Sequence, residues 1–344
     1  METKKLRYDG LDGLRTIGAL GVLAMHVLQS VPFGLQGYFF ETFMAYFGDL
    51  VFLFMVIAGF SLCCGYYERM VNRTVTLEHF YTKRFARVWP FFAVLCVMEF
   101  AAQPSSDGVY SLLANLTLGF GLIPATQVVL EAGWFLGVLF VFYFLFPFFC
   151  YLLSKKSRAW LAMAVSMLLS YLAAYHFRRA RISFAVCVPY FMAGGMIYLY
   201  RDALRRFMDR FWYLMLIALG GAVTAYCFLA TGGPVEQLLN MLVMLIICVI
   251  LVLFGLRTPG HRVTVLANPL TKKVSVLSME IYLSHMLIIS VLKKLKLMNL
   301  TPWAGMNYGL AVVMTLAGSV ALSLLIQKLL KQTGKLLFRT KEKN

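Results

Sequence analysis

Apolar residues run through this chain in blocks of about 17 to 25, each long enough to cross a ~30 Å hydrocarbon layer as an α-helix, and the polar positions gather between the blocks. Ten such blocks begin near Gly13, Gly48, Val88, Ala132, Ala159, Ser183, Phe211, Val235, Val274 and Trp303. The pattern predicts an all-α fold: a polytopic membrane helical bundle of about ten transmembrane helices, organised as a single integral membrane domain over residues 1–344. The stretch from Tyr110 to Thr126 is apolar but short and broken by Pro124, so it reads as an interfacial or re-entrant piece.

The first block, "LDGLRTIGALGVLAMHVLQS", carries two ionisable residues, Arg15 and His26. On a helix their separation amounts to roughly 16 Å along the axis and returns them to nearly the same face. An ionisable group inside a bilayer costs at least a few kcal/mol and is normally turned toward a protein interior, a cavity or a pathway. The polar residues lie inside the apolar run and no small-residue cleavage site follows, so this block is a retained span and not a signal peptide.

Composition supports the membrane reading: 61% of the 344 residues are hydrophobic and only 14% are charged, with a mean hydropathy of +0.77. Lys and Arg total 32 against 15 acidic residues, a net charge of +17. That excess could suggest nucleic acid, but its placement excludes it. The cations cluster at block ends: Lys4, Lys5 and Arg7; Arg69, Arg73, Lys83, Arg84 and Arg87; Lys155, Lys156 and Arg158; Arg201 to Arg210; Arg257, Arg262, Lys272 and Lys273; and the tail from Lys328. With ten spans these fall on one side, which the positive-inside rule makes cytoplasmic, with both termini there and the bundle in the inner or plasma membrane. Two sets break the rule: Arg178, Arg179 and Arg181, then Lys293, Lys294 and Lys296.

The seven cysteines lie in or beside apolar blocks without metal-ligand spacing, so they read as small core residues, with no metal site expected. No G-x-G-x-x-G, P-loop or G-x-S-x-G motif is present, which leaves nucleotide hydrolysis and serine hydrolase chemistry without a signal.

Chemistry therefore falls to residues in the spans and short loops. A histidine titrates near neutrality, so His26 facing a cavity is a candidate general base, the bland alternative being an imidazole satisfied by a neighbouring backbone group. His285 is either its partner in the same cavity or a satisfied core histidine. Asp12, one turn before Arg15, is placed to hold the guanidinium, which suits an anionic group arriving from the cytosol. In "HFYTKRFARVWPFF", Lys83, Arg84 and Arg87 are spaced to share one face of a surface helix, with Pro90 in the first turns of the span that follows. They form either a cradle for phosphate oxygens or an anchor to anionic membrane lipid. Arg178 and Arg181, on the outer side in this topology, would suit an anionic acceptor.

At this point the motifs resemble those of the acyltransferase family 3 membrane proteins. "YDGLDGLRTIGALGVLAMH" resembles the family's first span, with its Arg, ten intervening residues and His. "VFLFMVIAGF" is similar to the second-span "FFxxSGF" segment, Arg84 to Arg87 to the RxxR element, "GWFLGVLFVFYFLFP" to the Trp-led fourth span, and "SVLSMEIYLSHMLI" to the late "SYxxYLxH" span. The matches keep family order and cover almost the whole chain. Two departures stand out: Ala58 replaces the common Ser, and Trp134 is followed by "FLGVLF" where many carbohydrate-modifying members carry paired glutamates.

The resemblance implies an enzyme that moves an acyl group, commonly acetyl, from cytosolic acyl-CoA to a hydroxyl of an extracytoplasmic glycan, a cell-envelope polysaccharide or a lipid-linked relative. It implies His26 and Arg15 as catalytic, Arg15, Lys83, Arg84 and Arg87 on the phosphates of acetyl-CoA, and Trp134, Tyr282 and His285 along the substrate. A transporter or flippase of a lipid-linked sugar is the competing reading, although the internal repeat common in carriers is not found.

Overall fold

A computed structural model describes residues 8–102, 104–118, 120, 129–178, 182–229, 233–257 and 266–341. Lys4, Lys5, Arg7, Arg179, Arg181 and Arg262, together with residues 121–126 of the short apolar stretch, lie outside the described residues.

The described residues form helices and connecting turns, as the block pattern predicts. In chain order they are α1 (Asp9–Ser30), α2 (Tyr38–Glu41), α3 (Leu50–Leu62), α4 (Glu68–Val71), α5 (Leu77–Ala102), α6 (Ser106–Leu116), α7 (Trp134–Leu153), α8 (Lys156–Tyr171), α9 (Phe184–Phe228), α10 (Pro234–Gly255), α11 (Pro269–Val276), α12 (Ser278–Lys294) and α13 (Ala304–Lys341). Among the described residues, 8 continuous helical runs, including Tyr38–Val71 through α3 and Lys156–His176 through α8, are long and apolar enough to cross a membrane, or 9 if the broken pair α11 and α12 counts as one. The sequence count of about ten differs at one place. Phe211, read as the start of a separate span, sits inside α9, where a single non-helical residue (φ −118, ψ 25) kinks a run of 45 residues. At about 1.5 Å per residue such a run measures roughly 67 Å, enough for two crossings.

One other element departs from the sequence reading and one agrees with it. Pro90 lies well inside α5 and not at a helix start, so Lys83, Arg84 and Arg87 belong to the same continuous helix as the apolar residues after them. A proline is tolerated within a membrane helix because neighbouring groups re-satisfy the freed carbonyl. The helical part of the short apolar stretch, α6, is 11 residues long, about half of what a crossing needs, in keeping with a non-spanning piece.

Contacts divide the chain into two units, residues 1–18, 49–76 and 141–276 in one and 19–48, 77–140 and 277–344 in the other. In the first unit α3 is the core element. Its residues Val51, Phe52, Leu53, Met55, Val56, Ile57 and Phe60 are all buried, and it packs on α9 and α10. Small residues set that approach: a Cβ on Gly59 would meet the Phe191 carbonyl oxygen at 2.5 Å, and one on Gly194 would meet the Val56 carbonyl oxygen at 2.3 Å. Lipid tails give helices no hydrophobic reason to associate, so close backbone packing of this kind supplies much of the attraction. Aromatic rings fill the remaining space, with Phe52 stacked on Tyr190 at 4.3 Å and Phe142 on Phe191 at 4.0 Å. Five of the seven cysteines are buried and all seven are free thiols, which fits small core residues.

In the second unit α12 packs on α13 and α5, and α5 on α6. Gly318 of α13 faces Ile288 of α12 closely enough that an added Cβ would meet it at 2.9 Å. The half of α1 in this unit is tied to α13 by the Tyr308 hydroxyl, which donates to the Ala24 carbonyl at 3.2 Å. Phe33 and Phe40 set their rings edge-on to Tyr308. These contacts fix the turn of α1 that carries His26. Outward-facing residues such as Phe144, Leu161 and Ile217 are large, apolar and exposed, as lipid contact requires.

Gly194→Leu should overpack the α3–α9 contact at a cost of about 2 kcal/mol and lower the thermal midpoint of the detergent-solubilised protein by roughly 5 °C. Gly220→Leu, where an added Cβ meets nothing within 4 Å, should leave the midpoint unchanged in the same fluorescence melt.

Candidate active site

His26, near the C-terminal end of α1, is half-buried, and His285, one turn into the apolar body of α12, is fully buried at 0% exposure. Their rings meet in the second unit. His285 Nε2 lies 3.1 Å from His26 Nδ1, and the ring centroids are 5.0 Å apart. His26 Nδ1 is also 3.0 Å from the carbonyl oxygen of Val22, one turn earlier. A carbonyl only accepts, so partner chemistry places the proton on Nδ1 and the lone pair on Nε2. That is the tautomer a general base requires. Tyr282 packs against the pair, its ring 5.9 Å from that of His285 and 5.8 Å from Phe135 at the start of α7. Trp134 precedes Phe135 directly and is half-buried, following a tight turn, Glu131–Gly133, that packs on α12. The structure thus gathers His26, His285 and Tyr282, with Trp134 beside their aromatic border.

On α5 the three cations fall within one arc of about 100°. Lys83 and Arg87, a turn apart, are exposed, while Arg84 is half-buried. Arg87 interacts electrostatically with Glu280 of α12, whose carboxylate accepts a 3.1 Å hydrogen bond from Gln327 of α13. Sequence reasoning missed Glu280. The signal was available: a carboxylate inside an apolar span, five positions before a histidine, meets the same demand for a partner that drew attention to Arg15.

Arg15 belongs to the first unit and has its own partners there. One guanidinium nitrogen donates to Asp12 at 3.1 Å, as the one-turn spacing predicts, and another to the Ser61 hydroxyl at 2.8 Å. Ser275 donates to the same Asp12 carboxylate at 3.1 Å, and Thr16 donates to the Thr271 carbonyl at 2.9 Å. The hydroxyl that meets Arg15 belongs to Ser61, one turn after Ala58. Ser61 escaped the sequence reading because nothing local couples it to a residue 46 positions away.

The rule-breaking basic clusters have a local explanation. Arg178 follows the helical run ending at His176 with a left-handed backbone (φ 50), and Lys293, Lys294 and Lys296 close α12, Lys296 with φ 57. Cations at helix C-termini face unsatisfied carbonyls and the negative end of the helix dipole, worth about 0.3–1 kcal/mol each. Arg178 is exposed, its guanidinium over the Tyr175 ring at 5.2 Å. Arg181 lies outside the described residues. Among the described residues, no group of three or more His, Cys, Asp or Glu is placed to hold a metal ion.

Comparison with known proteins adds one finding to this geometry. A family model described as an acyltransferase domain, that of acyltransferase family 3, matches residues 8–327, from the residue before α1 to Gln327 of α13. No curated protein and no solved structure matches the chain. The matched range takes in the histidine pair, the α5 cations and the Arg15 cluster together. The chain belongs to the acyltransferase family 3: it is an integral membrane acyltransferase.

Proposed function

We propose that the chain, acting over its whole length as a single transferase domain, moves an acyl group, acetyl in the first instance, from cytosolic acyl-CoA to a hydroxyl of an extracytoplasmic glycan or lipid-linked acceptor. The observation that carries this reading is the environment of His26 Nδ1, between the Val22 carbonyl and His285, which leaves the lone pair on Nε2. A general base so arranged takes the proton of the acceptor hydroxyl as its oxygen attacks the thioester carbonyl. The carbon–oxygen bond forms and the carbon–sulfur bond breaks. The thiolate of CoA then leaves with the proton carried by His26.

Donor recognition falls to Lys83, Arg84 and Arg87, which follow the positive N-terminal end of α5 and suit the phosphates of CoA. Exposure of Lys83 and Arg87 supports access. A role for Arg15 on the donor is a separate proposal, since its guanidinium is already held by Asp12 and Ser61. His285 meets the base, Tyr282 packs on His285, Trp134 stands at the start of α7 beside Phe135, and the exposed Arg178 suits an anionic acceptor. The cation-rich helix ends support cytoplasmic termini and an inner- or plasma-membrane location.

Replacing His26 by Ala or Gln should cut the transfer of label from radiolabelled acetyl-CoA to membrane-bound material by about 10²- to 10⁴-fold while the protein still inserts and accumulates. Near-normal transfer in either variant removes His26 from the reaction. Arg84→Lys and Arg87→Lys keep the charge but lose the planar fork, so calorimetry should record about tenfold weaker acetyl-CoA binding for each. Unchanged affinity assigns the pair to lipid anchoring. Arg15→Lys, measured the same way, reports independently on that residue.

A further inference from the structure

A fully buried imidazole must satisfy both ring nitrogens, and the partners of His285 define how it does so. Its Nδ1 is 2.6 Å from the Tyr282 carbonyl oxygen, which can only accept, so Nδ1 carries the proton. In the neutral ring Nε2 then holds a lone pair, and what stands before it at 3.1 Å is His26 Nδ1. His26 Nδ1–H therefore has two acceptors. One is the Val22 carbonyl, which lies within the hydrogen-bonded body of α1; the other is the side chain of His285. Packing alone gives no reason for this choice. A leucine would fill the interior of α12 without the cost of desolvating an imidazole.

The geometry points to His285 as the positioning residue of the acyl transfer: its Nε2 lone pair receives His26 Nδ1–H, aims the His26 ring, and supports the imidazolium formed when His26 Nε2 takes the acceptor's proton. The inference rests on the reading of His26 as the base. Hydrogen bonds strengthen when the donor becomes charged, so the His26–His285 contact gains most in the transition state, where it raises turnover and not donor binding. His285 itself touches neither acyl group nor acceptor. Tyr282 takes part twice, its carbonyl fixing the His285 tautomer and its ring closing the far side.

The test compares full-length wild type, His285→Leu and His285→Gln in membrane vesicles supplied with radiolabelled acetyl-CoA, reading the label transferred to membrane-bound material. Leu removes the acceptor atom and should lower turnover about 10²-fold with the acetyl-CoA KM within about twofold. Gln offers a carbonyl oxygen near the position of Nε2 and should recover turnover to within about tenfold of wild type. A His285→Leu enzyme as fast as wild type, or a Gln variant no better than Leu at equal abundance, overturns the proposal. A KM change with unchanged turnover also overturns it. A second measurement covers the case in which Leu fails to accumulate: ¹⁵N spectra of the histidine-labelled wild-type protein should show His26 protonated at Nδ1 and unprotonated at Nε2, and the opposite tautomer refutes the pairing. Wild-type vesicles that transfer no label count against the transferase reading, and the spectra then decide the His26–His285 pairing separately.

Discussion

An imidazole placed in an apolar helix must find a hydrogen-bond partner within the protein, because the hydrocarbon around it offers none. The His26–His285 contact meets that demand for both residues at once, and most of what positions the site follows from it. Tyr308 ties α1 to α13, α13 packs on α12, and α12 carries His285. Each contact restricts the turn on which an imidazole sits. A bond between two neutral rings contributes only about 1 kcal/mol to stability, so the pair matters less for holding the fold than for fixing which nitrogen of His26 carries the lone pair.

The same demand explains the other polar residues inside the spans. Arg15 finds Asp12 and Ser61, Glu280 finds Gln327, and Asp49 accepts a 2.9 Å hydrogen bond from Tyr226 in the first unit. The chain thus distributes a few costly polar groups over an apolar scaffold, and Arg15, Glu280 and Asp49 each have a specific partner. Close packing at Gly59 and Gly194 provides cohesion where burial from lipid cannot. Structure and reactivity are separable in this arrangement: glycine and aromatic contacts hold helices together, and the polar pairs set chemistry.

Much of this was legible in the sequence, for a physical reason. A span must satisfy its backbone internally, so apolar length alone reveals the helices, and the helical period alone predicts the Asp12–Arg15 pair. Legibility ended where contacts join residues distant in the chain. His285 was visible as a histidine in a span, but its meeting with His26, 259 positions away, depends on how α1, α12 and α13 pack. Ser61 was missed for the same reason, whereas Glu280 stood visible as a carboxylate inside an apolar span. The spacing of Lys83, Arg84 and Arg87 places them within one arc of α5, but the half-burial of Arg84 depends on packing that the spacing does not show. The span start read near Phe211 coincides with the kink at which two helical stretches of α9 meet. The basic clusters looked anomalous on a rule about membrane sides, yet Arg178 and the α12 lysines sit where helix C-termini draw cations.

The central claim is that His26 and His285 act as one unit, and a double-mutant cycle on label transfer from acetyl-CoA tests it most directly. Residues that serve a single function lose it together, so a second substitution adds little once the first has removed that function. The account predicts that His26→Gln combined with His285→Leu transfers label within about twofold of His26→Gln alone. Losses that multiply, with the double variant slower by the full factor of each single change, would show two independent histidines and contradict it.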